Sequence, residues 1–149
     1  MMEGRDVADG TVLDLLRALV ATPSVNPAME RGGAGEREVA ELAAGWLRSW
    51  GFDVSMVEAA AGRPSVLARL RRGAGNSLIL NGHLDTVGVA GMVVPPFAAE
   101  VRDGRVWGRG SCDMKAGVAA ALAAARDAAA VGFAGELIVA LTADEEEAA

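Results

Sequence analysis

Apolar side chains recur along the chain in two rhythms. Between residues 11 and 21, Val12, Leu15, Leu16 and Leu19 fall at the i, i+3, i+4, i+7 spacing of an amphipathic helix. Thr11, or Asp9 before it, stands where a cap belongs. Pro23 and Pro27 end that pattern and mark a loop through Thr22, Ser24 and Asn26, continued by Gly32, Gly33 and Gly35. A second helix is predicted over residues 36–50, with Val39, Leu42, Ala43, Trp46, Leu47 and Trp50 inward and Gly51 as its stop. Residues 52–57 and 65–70 alternate as strands do. Two further segments are continuously apolar: Leu78, Ile79 and Leu80 within residues 77–81, and Leu137 to Leu141 within residues 135–142. Such runs suit strands buried on both faces, as at the centre of a parallel sheet. Residues 88–100, with Pro95 and Pro96, read as a loop, and residues 101–107 as a hairpin around Asp103-Gly104. The Ala-rich stretch 115–131 is a helix by composition. Helices alternating with buried strands predict α/β architecture.

The chain has 149 residues, enough for one domain. A chain of this length buries about 70% of its unfolded surface, so it needs no disulfide staple. Cys112 is the lone cysteine, which excludes a disulfide framework and points to a reducing, cytoplasmic setting. The net charge of −6 argues against nucleic acid, which needs a basic footprint. No apolar run reaches the roughly 18 residues of a membrane span; the longest, residues 116–135, is broken by Arg126 and Asp127. Residues 1–6 lack the apolar core of a signal peptide.

The single histidine, His83, the single lysine, Lys115, and Cys112 all fall between residues 83 and 115. Three polar segments follow or join the predicted strands. Asn81-Gly82-His83-Leu84-Asp85-Thr86 follows the first apolar run, and Glu145-Glu146 follows the second. Between them, Trp107 to Lys115 leads into the Ala-rich helix through Gly108 and Gly110. Ligands of open α/β sheets gather beyond the carboxyl ends of the strands, and an imidazole among several carboxylates there suits a divalent metal. Residues i and i+2 of an extended segment point the same way, so the Asp85 carboxylate is placed to accept the His83 ring N–H and fix its tautomer. Each residue also has a plainer reading: His83 as a hydrogen-bonded surface residue, Asp113 as a helix N-cap, and the acidic run from Asp144 to Glu147 as a solvated helix start. Cys112 as a nucleophile would need the same lone histidine to activate it. Lys115 and Arg109 are available to neutralise carboxylates or an anionic substrate, or are simply exposed.

Taken together, the segments resemble the N-terminal part of the dinuclear zinc amidohydrolases that include acetylornithine deacetylase, succinyl-diaminopimelate desuccinylase, aminoacylase and glutamate carboxypeptidase. The resemblance rests on residues 82–87 (Gly-His-Leu-Asp-Thr-Val), 108–115 (Gly-Arg-Gly-Ser-Cys-Asp-Met-Lys) and 142–146 (Thr-Ala-Asp-Glu-Glu), with the turn from Pro23 to Pro27 as entry loop. It implies an α/β fold of three layers, a mixed, mainly parallel sheet with flanking helices. It also implies two Zn2+ ions, with Co2+ or Mn2+ as substitutes. His83 would ligate one metal, Asp113 bridge both, and Glu146 ligate the second. Asp85 would orient His83, Glu145 would be the general base, and the Asp113–Met114 peptide would be cis. The implied reaction is hydrolysis of a small N-acyl amino acid or peptide, in a protein that is a homodimer at full length, with neither nucleic acid nor membrane as partner. Ala116 stands where many members have Gly. On the same resemblance residues 1–149 are the N-terminal part of the catalytic domain, without the lid or dimerisation domain or the later carboxylate and histidine ligands. The chain alone is therefore expected to bind metal weakly and to turn over little. The competing readings are an inactive remnant that serves as a metal-binding or interaction module, and a cysteine hydrolase built on Cys112.

Overall fold

The computed structural model describes residues 7–148; residues 1–6, read above for a signal sequence, and residue 149 lie outside them. Helix α1 (Val12–Ala21) begins at a reciprocal cap. The Thr11 hydroxyl accepts the Asp14 N–H at 3.3 Å, and the Asp14 carboxylate accepts the Thr11 N–H at 2.8 Å. Helix α2 (Arg37–Ser49) buries Val39, Ala40, Ala43, Ala44, Trp46 and Leu47, the face its periodicity predicts. Gly51, at φ +88°, turns the chain out of it. Strands β1 (Asp53–Ala60), β2 (Arg63–Arg72) and β3 (Ser77–His83) follow. The small hairpin β4 (Glu100–Arg102) and β5 (Arg105–Trp107) turns at Asp103-Gly104. Helix α3 (Lys115–Val131), strand β6 (Gly135–Thr142) and the short helix α4 (Glu145–Ala148) complete the described chain. No helix among the described residues is long and apolar enough to cross a membrane.

The main sheet has the order β1-β2-β6-β3. Only β3 and β6 run parallel; β1–β2 and β2–β6 are antiparallel. The sheet is mixed, as expected, with its parallel part confined to the β3–β6 pair. The reason is the connection. β1 and β2 are joined through Ala61 and Gly62, the latter at φ +79°, and so short a link can only close a hairpin. A parallel pair needs a long crossover, which α3 supplies between β3 and β6.

Val66, Ala68 and Leu70 of β2 and Leu137, Val139 and Leu141 of β6 point to one face. There they form a single core with Leu15 and Leu19 of α1, Val39, Ala43 and Leu47 of α2, and Val118 and Leu122 of α3. Each fully buried leucine contributes about 1.5–3 kcal/mol relative to an exposed one. On the opposite face Val57 and Ile79 are more than half exposed. Among the described residues the helices of the core all pack on the first of these faces. β3 departs from expectation. It is an edge strand, with Leu78 61% and Ile79 58% exposed, whereas β6 is central and buried as its composition predicts.

The parallel β3–β6 register pairs His83 with Thr142, and Leu84 N–H continues it by donating to Thr142 O at 2.8 Å. Both strands thus end at one edge of the sheet, and the segments after them emerge side by side. The start of α3 reaches the same edge because Gly82 has no side chain: a Cβ there would lie 3.2 Å from both Met114 Cε and Val118 Cγ2.

Candidate metal centre

At this edge the structure brings together His83, Asp113 and Glu146, whose ligand atoms all lie within 4.8 Å of one another. His83 is the last residue of β3 and is buried. Its Nε2 lies 3.2 Å from Asp113 Oδ1 and 3.7 Å from Glu145 Oε2. Asp113 sits on the glycine-bearing turn before α3, and its side chain is 76% exposed on the open side. The Asp113–Met114 peptide is cis. Asp113 is not the helix cap; that position falls to Met114, without a side-chain bond.

Asp85 behaves differently from the sequence expectation. His83 Nδ1 lies 3.0 Å from the backbone carbonyl of Asp85, while its carboxylate stands off at 3.5 Å. β3 has already ended at His83, so the alternation that would align the two side chains no longer holds. The fully buried Asp85 carboxylate accepts the backbone N–H groups of Glu145 at 3.1 Å and Glu146 at 3.0 Å. It also accepts from Asn26 Nδ2 at 2.8 Å. Asp85 thus holds the backbone that carries the two glutamates and touches the imidazole chiefly through its own carbonyl.

Electrostatics mark the cluster as short of positive charge. Among the described residues no Lys or Arg pairs with Asp113, Glu145 or Glu146. Burial works against the His83 imidazolium. The Asp113 carboxylate, the Asp85 carbonyl and the charges of Asp85 and Glu145 outweigh it and lift the ring above its ordinary value. Burial holds the Glu146 carboxyl above its usual range; the His83 charge opposes this, while Asp113, Asp85 and Glu145 reinforce it. One nitrogen and two carboxylate donors crowded without a counter-charge suit a divalent cation.

Lys115 takes no part in this balance. Its side chain is 1% exposed and runs under α1, donating to Leu19 O at 2.9 Å and Thr22 O at 2.8 Å. It thereby adds a charged donor to the carbonyls at the C-terminal end of α1, and burial pushes its amine down to about 7. Cys112 is exposed, and the two ring nitrogens of His83 face Asp85 and Asp113. Three residues escaped the sequence reading: Glu36, Arg63 and, as a site residue, Asn26. Asn26 lies in the Pro23–Pro27 turn, which pairs with Thr86 beside the site: Asn26 N–H donates to Thr86 O at 2.9 Å. That turn was its available signal. Glu36 and Arg63 carry no periodic signal, since one precedes a helix and the other follows a hairpin turn.

Residues 79–149 match the model of peptidase family M20/M25/M40. A succinyl-diaminopimelate desuccinylase of Gluconacetobacter diazotrophicus is 40% identical over 146 residues, covering 93% of this chain and 36% of that protein. One from Cereibacter sphaeroides is 41% identical over 133 residues, 86% of this chain and 33% of the relative. The chain spans about a third of the length of these curated relatives. Among solved structures, an M20 family metallo-carboxypeptidase from Sulfolobus solfataricus superposes with a TM-score of 0.81 at 22% identity, over 93% of this chain and 32% of that one. A dinuclear metal-binding peptidase of the M20 family from Bacillus subtilis gives 0.64 at 16% identity, over 97% of this chain and 38% of that one. At such identities the two structures speak to the fold.

Proposed function

The chain carries a peptidase M20 family domain, and from that premise we propose that it forms the metal-holding part of an amidohydrolase that cleaves a small N-acyl amino acid or peptide. The observation that carries this reading is the convergence of His83, Asp113 and Glu146 at one sheet edge. His83 and Glu146 would each hold one of two Zn2+ ions, and Asp113, the most open of the three, would lie between them. When bound, such a pair would lower the pKa of a shared water and polarise the acyl carbonyl. Glu145, beside His83 but outside the donor cluster, would be the general base that holds and moves the reaction's proton. Asp85 fixes the glutamate backbone and, through its carbonyl, the imidazole Nδ1.

The substrate class follows the desuccinylase relatives, so N-succinyl and N-acetyl amino acids are the compounds to assay. The 149 residues contain one imidazole and this one donor cluster among those described. We therefore infer that by themselves they bind metal weakly and turn over little, and that further ligands complete the pair in the whole protein. The test is the metal content of the protein and of its His83→Ala and Asp113→Ala variants after equilibration with Zn2+. Loss of bound zinc in both variants supports the ligand assignment, and unchanged content refutes it.

A further inference from the structure

The two glutamates leave β6 through Asp144, which stands at φ +66° although it is not glycine. A left-handed residue with a side chain persists only where its surroundings over-determine it, and here they do. Glu36 is fully buried, and both its oxygens are held by Arg63: Nε to Oε2 at 3.0 Å and one terminal nitrogen to Oε1 at 2.6 Å. The other terminal nitrogen of Arg63 lies 2.6 Å from Asp144 Oδ1. Glu36 Oε1 accepts the Asp144 backbone N–H at 3.2 Å. Asn26 Nδ2 spans the gap, donating to Asp144 Oδ1 at 3.0 Å and Asp85 Oδ2 at 2.8 Å. Side chain and backbone of Asp144 are thus both clamped, one residue before the glutamate pair.

We propose that the buried Glu36–Arg63 pair is a positioning device for the metal centre: by clamping Asp144 in its left-handed turn, it sets the direction in which Glu145 and Glu146 enter the site. The inference deepens the metal-centre reading above and rests on it. A guanidinium is required because three separate donors reach three acceptors in fixed geometry, which a lysine ammonium cannot do. A buried ion pair is weak evidence for stability as such. What the pair does here is hold Asp144.

The test uses Asp144→Gly, which permits the positive φ but removes the acceptor for Arg63 and Asn26, and Arg63→Lys, which keeps the charge but loses the fork. Neither leaves a buried carboxylate without a cation nearby. Two readouts are needed. Amide hydrogen exchange by NMR, without metal, follows the Glu145 and Glu146 N–H groups that donate to Asp85. A Co2+ titration then follows affinity and the visible absorption spectrum. The expected result is faster exchange at residues 145 and 146 in both variants, by about 10-fold or more, with unchanged exchange in β6. Co2+ affinity falls about 10- to 100-fold with an altered spectrum, the usual scale for groups that orient metal ligands. Unchanged exchange at residues 145 and 146 in Asp144→Gly overturns the proposal. Accelerated exchange in a protein whose parent binds no Co2+ upholds the positioning role and refutes the metal-centre reading instead.

Discussion

The Asp85 carboxylate accepts the backbone N–H of Glu146 at 3.0 Å, across 61 residues of sequence. It ties the segment after β3 to the segment after β6, and with the adjacent Glu145 N–H it caps α4 from another part of the chain. Replacing Asp85 by Ala leaves those two donors and Asn26 Nδ2 without this buried acceptor. Hydrogen bonds to charged groups contribute about 1.5–3 kcal/mol each, and not additively. Asp85→Ala should therefore lower stability by about 2–4 kcal/mol in urea denaturation. Asp85→Asn, which retains an acceptor, should cost less.

Glu145 and Glu146 are adjacent but placed differently, and their neutral variants should separate. Glu146→Gln should weaken Zn2+ binding at least about 10-fold, since it removes an anionic ligand. Glu145→Gln should leave zinc affinity nearly unchanged. In the whole protein it should reduce kcat by about 100-fold or more, the range of a lost general base. Calorimetric titration and steady-state kinetics on the two variants check this.

Lys115 makes the fold pH-dependent in a defined direction. Its amine is pushed from 10.5 in the open chain to about 7 by burial, so between these values the unfolded chain binds more protons than the folded one. The unfavourable contribution is fully present below about pH 7 and is relieved as pH rises towards 10.5. Metal-free protein should gain stability from this group across that window. The Lys115→Met variant should show a flatter profile there, measured as the urea midpoint at successive pH values.

Gly110 stands at φ +77°, and a Cβ there would lie 2.7 Å from Thr86 Cγ2. Gly110→Ala should lower stability by about 1–3 kcal/mol through backbone strain and overpacking together. Because this turn carries Asp113 towards His83, Zn2+ affinity should fall as well. Thermal unfolding and zinc titration of the same sample read both effects.

Cys112 is exposed and has no imidazole facing it. Cys112→Ser should leave the activity of the whole protein within about twofold, while a chelator should abolish it. The reverse pattern would revive the thiol reading.

Elements governed by local rules were legible in the sequence. The Thr11 cap, the buried Leu15 and Leu19 of α1, the inward face of α2, the Asp103-Gly104 hairpin and the bounds of α3 and β6 follow from spacing, capping and turn chemistry that act over a few residues, whereas Val12, on the same stripe of α1, is 47% exposed. Strand order was not legible. The Ala61-Gly62 turn, short enough to force antiparallel pairing, lay inside a stretch read only as two alternating strands, and the apolar run of β3 gave no sign of its edge position. The site divides the same way. His83, Asp113 and Glu146 stand in short motifs that emerge at one edge because β3 and β6 are parallel neighbours. Glu36 and Arg63 meet Asp144 only through tertiary packing, 108 residues separating Glu36 from the Asp144 N–H it accepts. Asp85 lies where its motif implies, but strand alternation stops at His83, so its carboxylate turns to the Glu145 and Glu146 backbone and stands 3.5 Å from the imidazole.

The claim on which the rest depends is that His83, Asp113 and Glu146 hold a divalent metal. Anomalous diffraction at the zinc edge from crystals equilibrated with Zn2+ tests it most directly. The account predicts a peak at about 2.0–2.2 Å from His83 Nε2 and from oxygens of Asp113 or Glu146. Zinc found only elsewhere on the chain, with these three side chains unliganded, would contradict it.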